Sequence, residues 1–489
     1  MNENCILVID TGTSSMRGGL LDHDAQLIML HQEHYSISAG YPSLAEQDCR
    51  EFTQLLHRTL QAVKCYLHEH RLHVDAISVT SQRSSLISVD CHGKPLHRAI
   101  MWQDKRTLEI CKEINHRMNT YPACGMRANT VLLAPKILWL KRNENELYLH
   151  THKFLGIHEY ILFQLTGEFC TDTSVASRSC LLDIRSGSWS EMLLDCFEIP
   201  VEKLCRLEQP GSVVGNTSAS TNHSLGQTDS IPVISAGGDQ QCASLGQGIF
   251  REGVLNVNGG TGGYATQIVD SAMLDPDEKI VLNFSAIPGK WILESSCNHA
   301  GTIYRWLQKN FYPGAHFSDM DHDAEKIDPG AEGIIFLADL ANRLISGQDI
   351  ATNNHFYPAN SSPRKECMTR AVLEGIVSEL YRCIVALERM GGTTDEIISS
   401  GGLSKGRLFN QILADISGKK VVTHSHHEST LIGAWIAGAV RLGWHSDYQA
   451  AARIIVQDPQ PFFPLAKNRS IYLKQDEIRR QVSSNFSNQ

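Results

Sequence analysis

Two apolar runs, each broken by a turn of glycine and threonine, constrain this chain more than any other feature. Near the start, CILVID ends in Asp10 and passes through Thr11-Gly12-Thr13-Ser14-Ser15 into MRGGLLD. In the second half, GVLNVN passes through Gly259-Gly260-Thr261-Gly262-Gly263 into YATQIV. Glycine at this density is costly unless the backbone turns sharply or lies against a ligand. Each run therefore reads as a strand, a tight turn and a returning strand.

The surroundings of the two hairpins are alike. After the first, AQLIMLHQEHYSI continues the sheet, Phe52, Leu55, Leu56, Leu60, Val63 and Leu67 recur at helical spacing, and VDAISVTSQ supplies a further buried strand. Three antiparallel strands, a helix and another strand is the order expected of a ribonuclease H-like domain. IPVISAGGD reopens the pattern, KWILESSCN follows the second hairpin, and Met368, Val372, Ile376, Leu380, Ile384 and Leu387 mark a long helix stopped by Gly391-Gly392. The strand EIISSGGL, the helix RLFNQILADISG, the strand KKVVTH and the helix STLIGAWIAGAVRLG then alternate. The expected fold is α/β, with two domains, 1–246 and 247–489, related by structural duplication without a residue-level repeat. The polar tail from Asn468 reads as an exposed helix.

Composition sets limits on function. A chain of 489 residues exceeds one core, and 42% hydrophobic with 20% charged residues is an ordinary globular profile. A net charge of −9 and no long Lys/Arg run give no attraction to nucleic acid or an anionic membrane. With no signal-like N-terminus and no spanning apolar window, a cytoplasmic protein is expected. The 14 cysteines are scattered without a CxxC pair, as reduced core thiols are.

Four segments can carry chemistry. Asp10 to Ser15, with Arg17 beyond, offers N–H groups and hydroxyls to a phosphate chain, and Asp10 can hold Mg²⁺ through water; an ordinary self-capping turn is the plainer alternative. Asp-Thr-Gly also occurs in aspartic proteases, but these need two facing aspartates, and Asp172-Thr173-Ser174 lacks the glycine. In Gly237-Gly238-Asp239-Gln240-Gln241 the aspartate can accept a proton from a substrate hydroxyl, or simply cap a helix. Asn258 to Gly263 is a second phosphate cradle or a flexible hairpin. Ser400-Gly401-Gly402-Leu403-Ser404 would let a base or ribose lie on the chain. The His424, His426, His427 group lacks Cys or carboxylate partners at metal-ligand spacing.

Taken in order, these segments resemble the FGGY family of carbohydrate kinases over nearly the whole length. DTGTSSMRGGLLD resembles its first phosphate motif, GGDQQCASLGQG its catalytic-base segment, NGGTGG its second phosphate motif, and SGGLSKGRLFNQILADISGKKV with ESTLIGAWIAG its adenosine signature. SQRSS, MWQDKRT and TDTSVASRSCLLDI are similar to glycerol kinase segments. The resemblance implies two ribonuclease H-like, actin-like ATPase domains with the active site in the cleft between them, and phosphoryl transfer from MgATP to a small sugar or polyol. It implies Asp239 as general base, Asp10 and Asp239 as Mg²⁺ carboxylates, and Arg83, Ser84, Trp102 and Gln240 around the acceptor. ATP would be held by Thr11, Gly12, Thr13, Ser14, Ser15, Arg17, Gly260, Thr261, Gly262, Gly301, Gly401, Gly402 and Leu403. Two departures bear on the substrate. Ser84 stands where glycerol kinases carry glutamate, and FLADLANR, Phe336 to Arg343, lacks the family's usual pattern there. A pentulose or a polyol other than glycerol is expected, with a catalytically lapsed, ATP-binding regulatory protein as the alternative. The oligomeric state stays open, a homodimer included.

Overall fold

The computed structural model of the chain describes residues 4–35, 38–39, 43–251, 253–297, 299–338, 355–358, 363–424, 428–455 and 459–487. They fall into two compact units, one drawn from Met1–Phe250, Val269–Ile292 and His426–Val456, the other from Arg251–Ile268, Leu293–Ser425 and Gln457–Gln489. The chain thus passes between units several times, whereas the sequence points to a single boundary near Gly246.

In the first unit β1 (Asn4–Thr11), β2 (Ser15–Leu21), β3 (Leu27–His34), β4 (His73–Ser81), β5 (Ser212–Asn216) and β6 (Pro232–Gly238) form one sheet in the order β5-β6-β4-β1-β2-β3. The meander β1-β2-β3 is antiparallel, β4 and β6 add in parallel, and β5 closes the edge antiparallel. Helix α1 (Cys49–His70) packs on β2 and β3 through the predicted stripe, Phe52, Leu55, Leu60 and Val63 all being buried. Asp48 caps it by accepting the Arg50 N–H at 2.9 Å. A second apolar cluster, from Leu86 to Leu204, fills the long excursion between β4 and β5.

In the second unit β7 (Val254–Gly259), β8 (Gly263–Val269), β9 (Trp291–Cys297), β10 (Glu396–Ser400), β11 (Lys420–Thr423) and β12 (Gln460–Phe462) run in the order β9-β8-β7-β10-β11-β12. β7 and β8 are antiparallel, β10 and β11 parallel to β7, and β12 antiparallel at the edge. Both units thus share the order third-second-first-fourth, followed by a further parallel strand, β6 in the first unit and β11 in the second, which is the ribonuclease H-like plan the sequence predicts. Helix α3 (Lys365–Gly391) buries the whole predicted stripe from Met368 to Leu387 and stops at Gly392 with φ +81°.

Between them in sequence, α2 (Asp239–Gly246) continues directly from β6. Later come α4 (Arg407–Ser417), α5 (Ser429–Arg441) and α6 (Ala466–Ser487). Two of these differ from the sequence reading. The tail helix α6 is not simply exposed: Tyr472, Asp476 and Arg479 are buried, with Ser378 donating to Asp476 and Arg370 to the Tyr472 hydroxyl. Its polar residues read as solvated because their partners lie about a hundred residues upstream. Helix α5 packs in the first unit, on β1, β4 and α2.

The contact between α5 and α2 is made through missing side chains. A methyl group on Gly433 would lie 1.8 Å from the Cys242 carbonyl oxygen, and one on Gly246 would lie 2.0 Å from the Ser429 carbonyl oxygen. Both clashes are with backbone, so neither can be relieved by a rotamer change. The Ser78 hydroxyl donates to the Ala434 carbonyl at 2.6 Å and the Trp435 indole to the Asp22 carbonyl at 2.9 Å, fixing α5 on the sheet. Gly433→Ala is expected to destabilise the protein by about 1–3 kcal/mol or more, read as a lower urea midpoint. An unchanged midpoint would show that the two helices separate without cost.

Candidate active site

The first hairpin turn presents donors by construction. Gly12 N–H closes the turn on the Ser15 carbonyl at 2.9 Å, while the N–H groups of Thr13 and Ser14 find no acceptor among the described residues. The turn is held from outside: the Gly12 carbonyl accepts from the Tyr35 hydroxyl and, at 3.0 Å, from the Gln82 amide. The Thr13 hydroxyl accepts from the Trp102 indole N–H at 3.1 Å. Trp102 is therefore fixed by one edge, not a free core aromatic.

Asp10, at the end of β1, is 1% exposed. One carboxylate oxygen takes the Arg17 guanidinium, which also bonds Glu428. The other oxygen, Oδ1, is buried and has no hydrogen-bond partner among the described residues. Burial raises the Asp10 pKa from 3.8 to about 6, opposed by Arg17 and assisted by the charge of Asp239. An orphaned carboxylate oxygen is expensive in a folded protein and suits a group that accepts from a metal-bound water. No cluster of three or more His, Cys, Asp or Glu side chains that could cage a metal occurs among the described residues.

Asp239 opens α2. Gly237, at φ +116°, turns the chain out of β6, and a methyl group there would lie 2.7 Å from the Ser174 hydroxyl oxygen. That hydroxyl accepts the Gly238 N–H at 3.2 Å. The Asp239 side chain does not cap the helix in the usual way; its Oδ1 accepts the adjacent Gln240 N–H at 2.8 Å and faces Arg83 Nε at 3.8 Å. Arg83 in turn donates to the Gln240 side-chain oxygen at 2.8 Å. Although 30% of the Asp239 side chain meets solvent, the packed protein around it pushes its pKa up, with Arg83, Arg17 and Arg178 pulling the other way. Asp10, Arg17 and Asp239 therefore sense one another's charge, and Arg83 acts on Asp239.

Next to Arg83, Ser84 adopts φ +72°, uncommon for a residue with a Cβ, and its hydroxyl makes a long 3.5 Å contact with the Arg178 carbonyl. Beside it lies a pocket lined by Arg83, Ser84, Glu159, Arg178, Leu133 and Trp189, among others. Lys136, fully buried, props the loop leading to Leu133 by donating to the carbonyls of Thr130, Val131 and Leu132 at 2.9, 2.6 and 3.1 Å. Burial brings its pKa down to about 7.

Asp172, the weak counterpart to Asp10 in the protease reading, is a structural cap. It accepts the Ser174 N–H at 2.8 Å and the Val175 N–H at 3.2 Å. Burial would raise its pKa, but His158, Ser174 and Ser235 hold it below the ordinary carboxylate value. A cap held ionised cannot be half of a proton-sharing pair.

In the second unit the glycine motifs converge. Gly301 N–H donates to the Gly260 carbonyl at 2.8 Å, and a methyl on Gly301 would lie 2.5 Å from that oxygen. Gly401, at φ +86°, lies against Gly259 and Asn258, and Leu403 against Gly259, while Gly402 has open space where a side chain would be. Gly260, Thr261, Gly262, Gly301, Gly401, Gly402 and Leu403, distant in sequence, thus form one cluster.

Several contacts were outside the reach of sequence. Glu428 opens a segment that resembles an adenosine signature, yet its carboxylate sits on Arg17 in the first unit. Gln82 and Tyr35 hold the first turn but belong to no glycine motif. His426 and His427 lie outside the described residues, as does Leu340 to Arg343 of FLADLANR with Asp339. No described helix is long and apolar enough to cross a membrane, and all 14 cysteines are free thiols, most of them buried.

Comparison with known proteins gives a consistent result. The profile of the FGGY family of carbohydrate kinases, N-terminal domain, matches residues 5–246, and that of its C-terminal domain matches residues 255–442. A xylulose kinase of Staphylococcus epidermidis is 26% identical over 483 residues, spanning 96% of this chain and 95% of that protein. A gluconokinase of Bacillus subtilis is 26% identical over 465 residues, 92% of this chain and 90% of that one. The crystal structure of ligand-bound xylulose kinase from Lactobacillus acidophilus superposes with a TM-score of 0.90 at 24% identity, covering 99% of this chain and 98% of that one.

The raised Asp10 pKa makes a stability prediction. An acid whose folded pKa lies above its unfolded one stabilises the fold below the unfolded pKa and loses that contribution as pH rises through the folded value, here from about 4 to about 6. Asp10→Asn, which mimics the neutral acid, is expected to raise the melting midpoint at pH 7.5, with the gain shrinking toward pH 4. A variant less stable than wild type at pH 7.5 would contradict this account of the site.

Proposed function

Because this chain belongs to the FGGY family of carbohydrate kinases and so catalyses ATP-dependent phosphorylation of a small sugar or polyol, we propose that its acceptor is a pentulose or a polyol other than glycerol and that Asp239 is the general base. The acceptor hydroxyl gives its proton to the Asp239 carboxylate, its oxygen forms a bond to the γ-phosphorus, and the bridging oxygen departs with ADP. Asp239 Oδ1 is already occupied by the Gln240 N–H, which leaves Oδ2 for the proton. Its raised pKa makes it a stronger base than a solvated carboxylate.

Phosphoryl transfer depends chiefly on positioning and on stabilising charge. The N–H groups of Thr13 and Ser14, with Thr11, Gly12, Ser15 and Arg17 around them, are suited to phosphate oxygens. Arg17, between Asp10 and Glu428, is a charge held in place before substrate arrives. The glycine cluster of the second unit, from Gly260 to Leu403, leaves bare backbone for the nucleotide. Asp10, through its orphaned oxygen, and Asp239 would hold Mg²⁺. Bound there, the ion would neutralise phosphate charge.

The acceptor would meet Arg83, Ser84, Trp102 and Gln240. A hydroxyl at position 84 cannot replace a carboxylate's two strong acceptor oxygens, which lowers the claim of glycerol and leaves room for a longer molecule. The observation that carries the assignment is Asp239 itself, an incompletely bonded carboxylate at a helix start, beside Arg83 and Gln240.

Asp239→Asn is expected to keep ATP affinity and lose turnover by at least about a hundredfold; turnover near wild type would refute the assignment. The acceptor is tested by ADP release over D-xylulose, D-ribulose, xylitol, ribitol, gluconate and glycerol. Stimulation by a five-carbon ketose or polyol well above glycerol supports the reading, and glycerol as the best acceptor overturns it.

A further inference from the structure

The pocket beside Ser84 includes Arg83 but not Asp239 among its lining residues. Arg83, which lies 3.8 Å from the Asp239 carboxylate, is therefore shared between this pocket and the proposed base. Its other polar groups are mostly committed. Glu159 accepts the Gly156 N–H at 2.8 Å with one oxygen and the Thr171 hydroxyl at 2.6 Å with the other. Gln82 is bonded to Gly12 and Ser85.

Arg178 differs. Among the described residues its guanidinium makes no hydrogen bond or ion pair, although the residue lines the pocket and its charge is felt at Asp239. Its backbone, by contrast, is tied down. The turn Thr173–Ala176 is capped by Asp172, the Ser177 hydroxyl donates to the Ser174 carbonyl at 2.8 Å, and the Ser174 hydroxyl receives the N–H of Gly238, the residue before Asp239. An uncommitted guanidinium, with five donors and no acceptor, is thus mounted on an element fastened to the chain that carries the proposed base.

We propose that Arg178 is a specificity-determining residue that donates to the oxygen atoms at the end of the acceptor away from the transferred hydroxyl. This rests on the proposed acceptor site around Arg83 and Asp239. Where Ser84 supplies only one hydroxyl, the Arg178 guanidinium supplies the stronger donor, and a five-carbon acceptor, with more oxygen atoms to offer, gains more from it than a three-carbon one. Trp189 and Leu133 give the pocket apolar walls for the carbon chain.

The test uses the full-length enzyme with saturating MgATP, wild type against Arg178→Met and Arg178→Lys, with D-xylulose or xylitol, whichever the wild type phosphorylates faster, and glycerol as the short acceptor. Arg178→Met is expected to raise KM for the five-carbon acceptor at least about tenfold, the size of a lost charged hydrogen bond, with a smaller change in kcat. The rise in KM for glycerol is expected to be several-fold smaller, and Arg178→Lys to restore part of the loss. ATP affinity and melting midpoint serve as controls for folding. Equal losses on both acceptors, or a fall in kcat alone, would mean that Arg178 acts structurally and would overturn the proposal while leaving Asp239 standing. A wild type that phosphorylates neither five-carbon compound would overturn both readings together.

Discussion

The contact of α2 with α5, backbone against backbone at Gly246 and Gly433, is the constraint on which the candidate site depends. Helix α2 begins at Asp239, and α5 begins one residue after Glu428. Seating the two helices together sets where the proposed base starts and carries Glu428 to Arg17, which then holds Asp10 at the end of β1. A contact made by two glycines has no adjustable side chain, so the position it sets is discrete. The glycines that free the Asp239 turn and those that let the helices meet serve one geometry.

Charge is distributed in that geometry so that each ionised group depends on its neighbours. Asp10 is too buried to ionise readily alone, Arg17 supports it, and Asp239 opposes it. Asp239 is desolvated yet balanced by Arg83, Arg17 and Arg178. A site of this kind is poised before substrate arrives: under the proposed assignment a polyphosphate with its cation would change the balance at Asp10, and the acceptor would complete the one at Asp239. The strained φ of Ser84 belongs to the same economy, since it sits where the turn must present Arg83 to one side and a pocket wall to the other.

Much of this was legible in the sequence. Periodicity located α1 and α3 through stripes that are buried residue for residue, and the glycine turns located β1, β2, β7 and β8, because those signals are local. The family resemblance places Asp239, the two turns and Gly401-Gly402 in one expected site from their order in the sequence alone. What escaped detection depends on distance along the chain. Nothing local to STLIGAWIAGAVRLG says that it packs in the first unit, or that Glu428 pairs with a residue of the opening hairpin. The tail helix reads as solvated because the partners of Tyr472 and Asp476 lie on α3. Arg178 lies in the TDTSVASRSCLLDI segment, but only its pocket and its lack of a partner among the described residues set it apart from its neighbours there.

The central claim is that a desolvated Asp239 must be ionised to accept the acceptor's proton. It is tested most directly by kcat/KM for the acceptor as a function of pH, at saturating nucleotide. The account predicts a loss of activity on the acid side with unit slope, centred above the ordinary carboxylate range. A profile that stays flat through that range, down to where a solvated carboxylate would protonate, would contradict it.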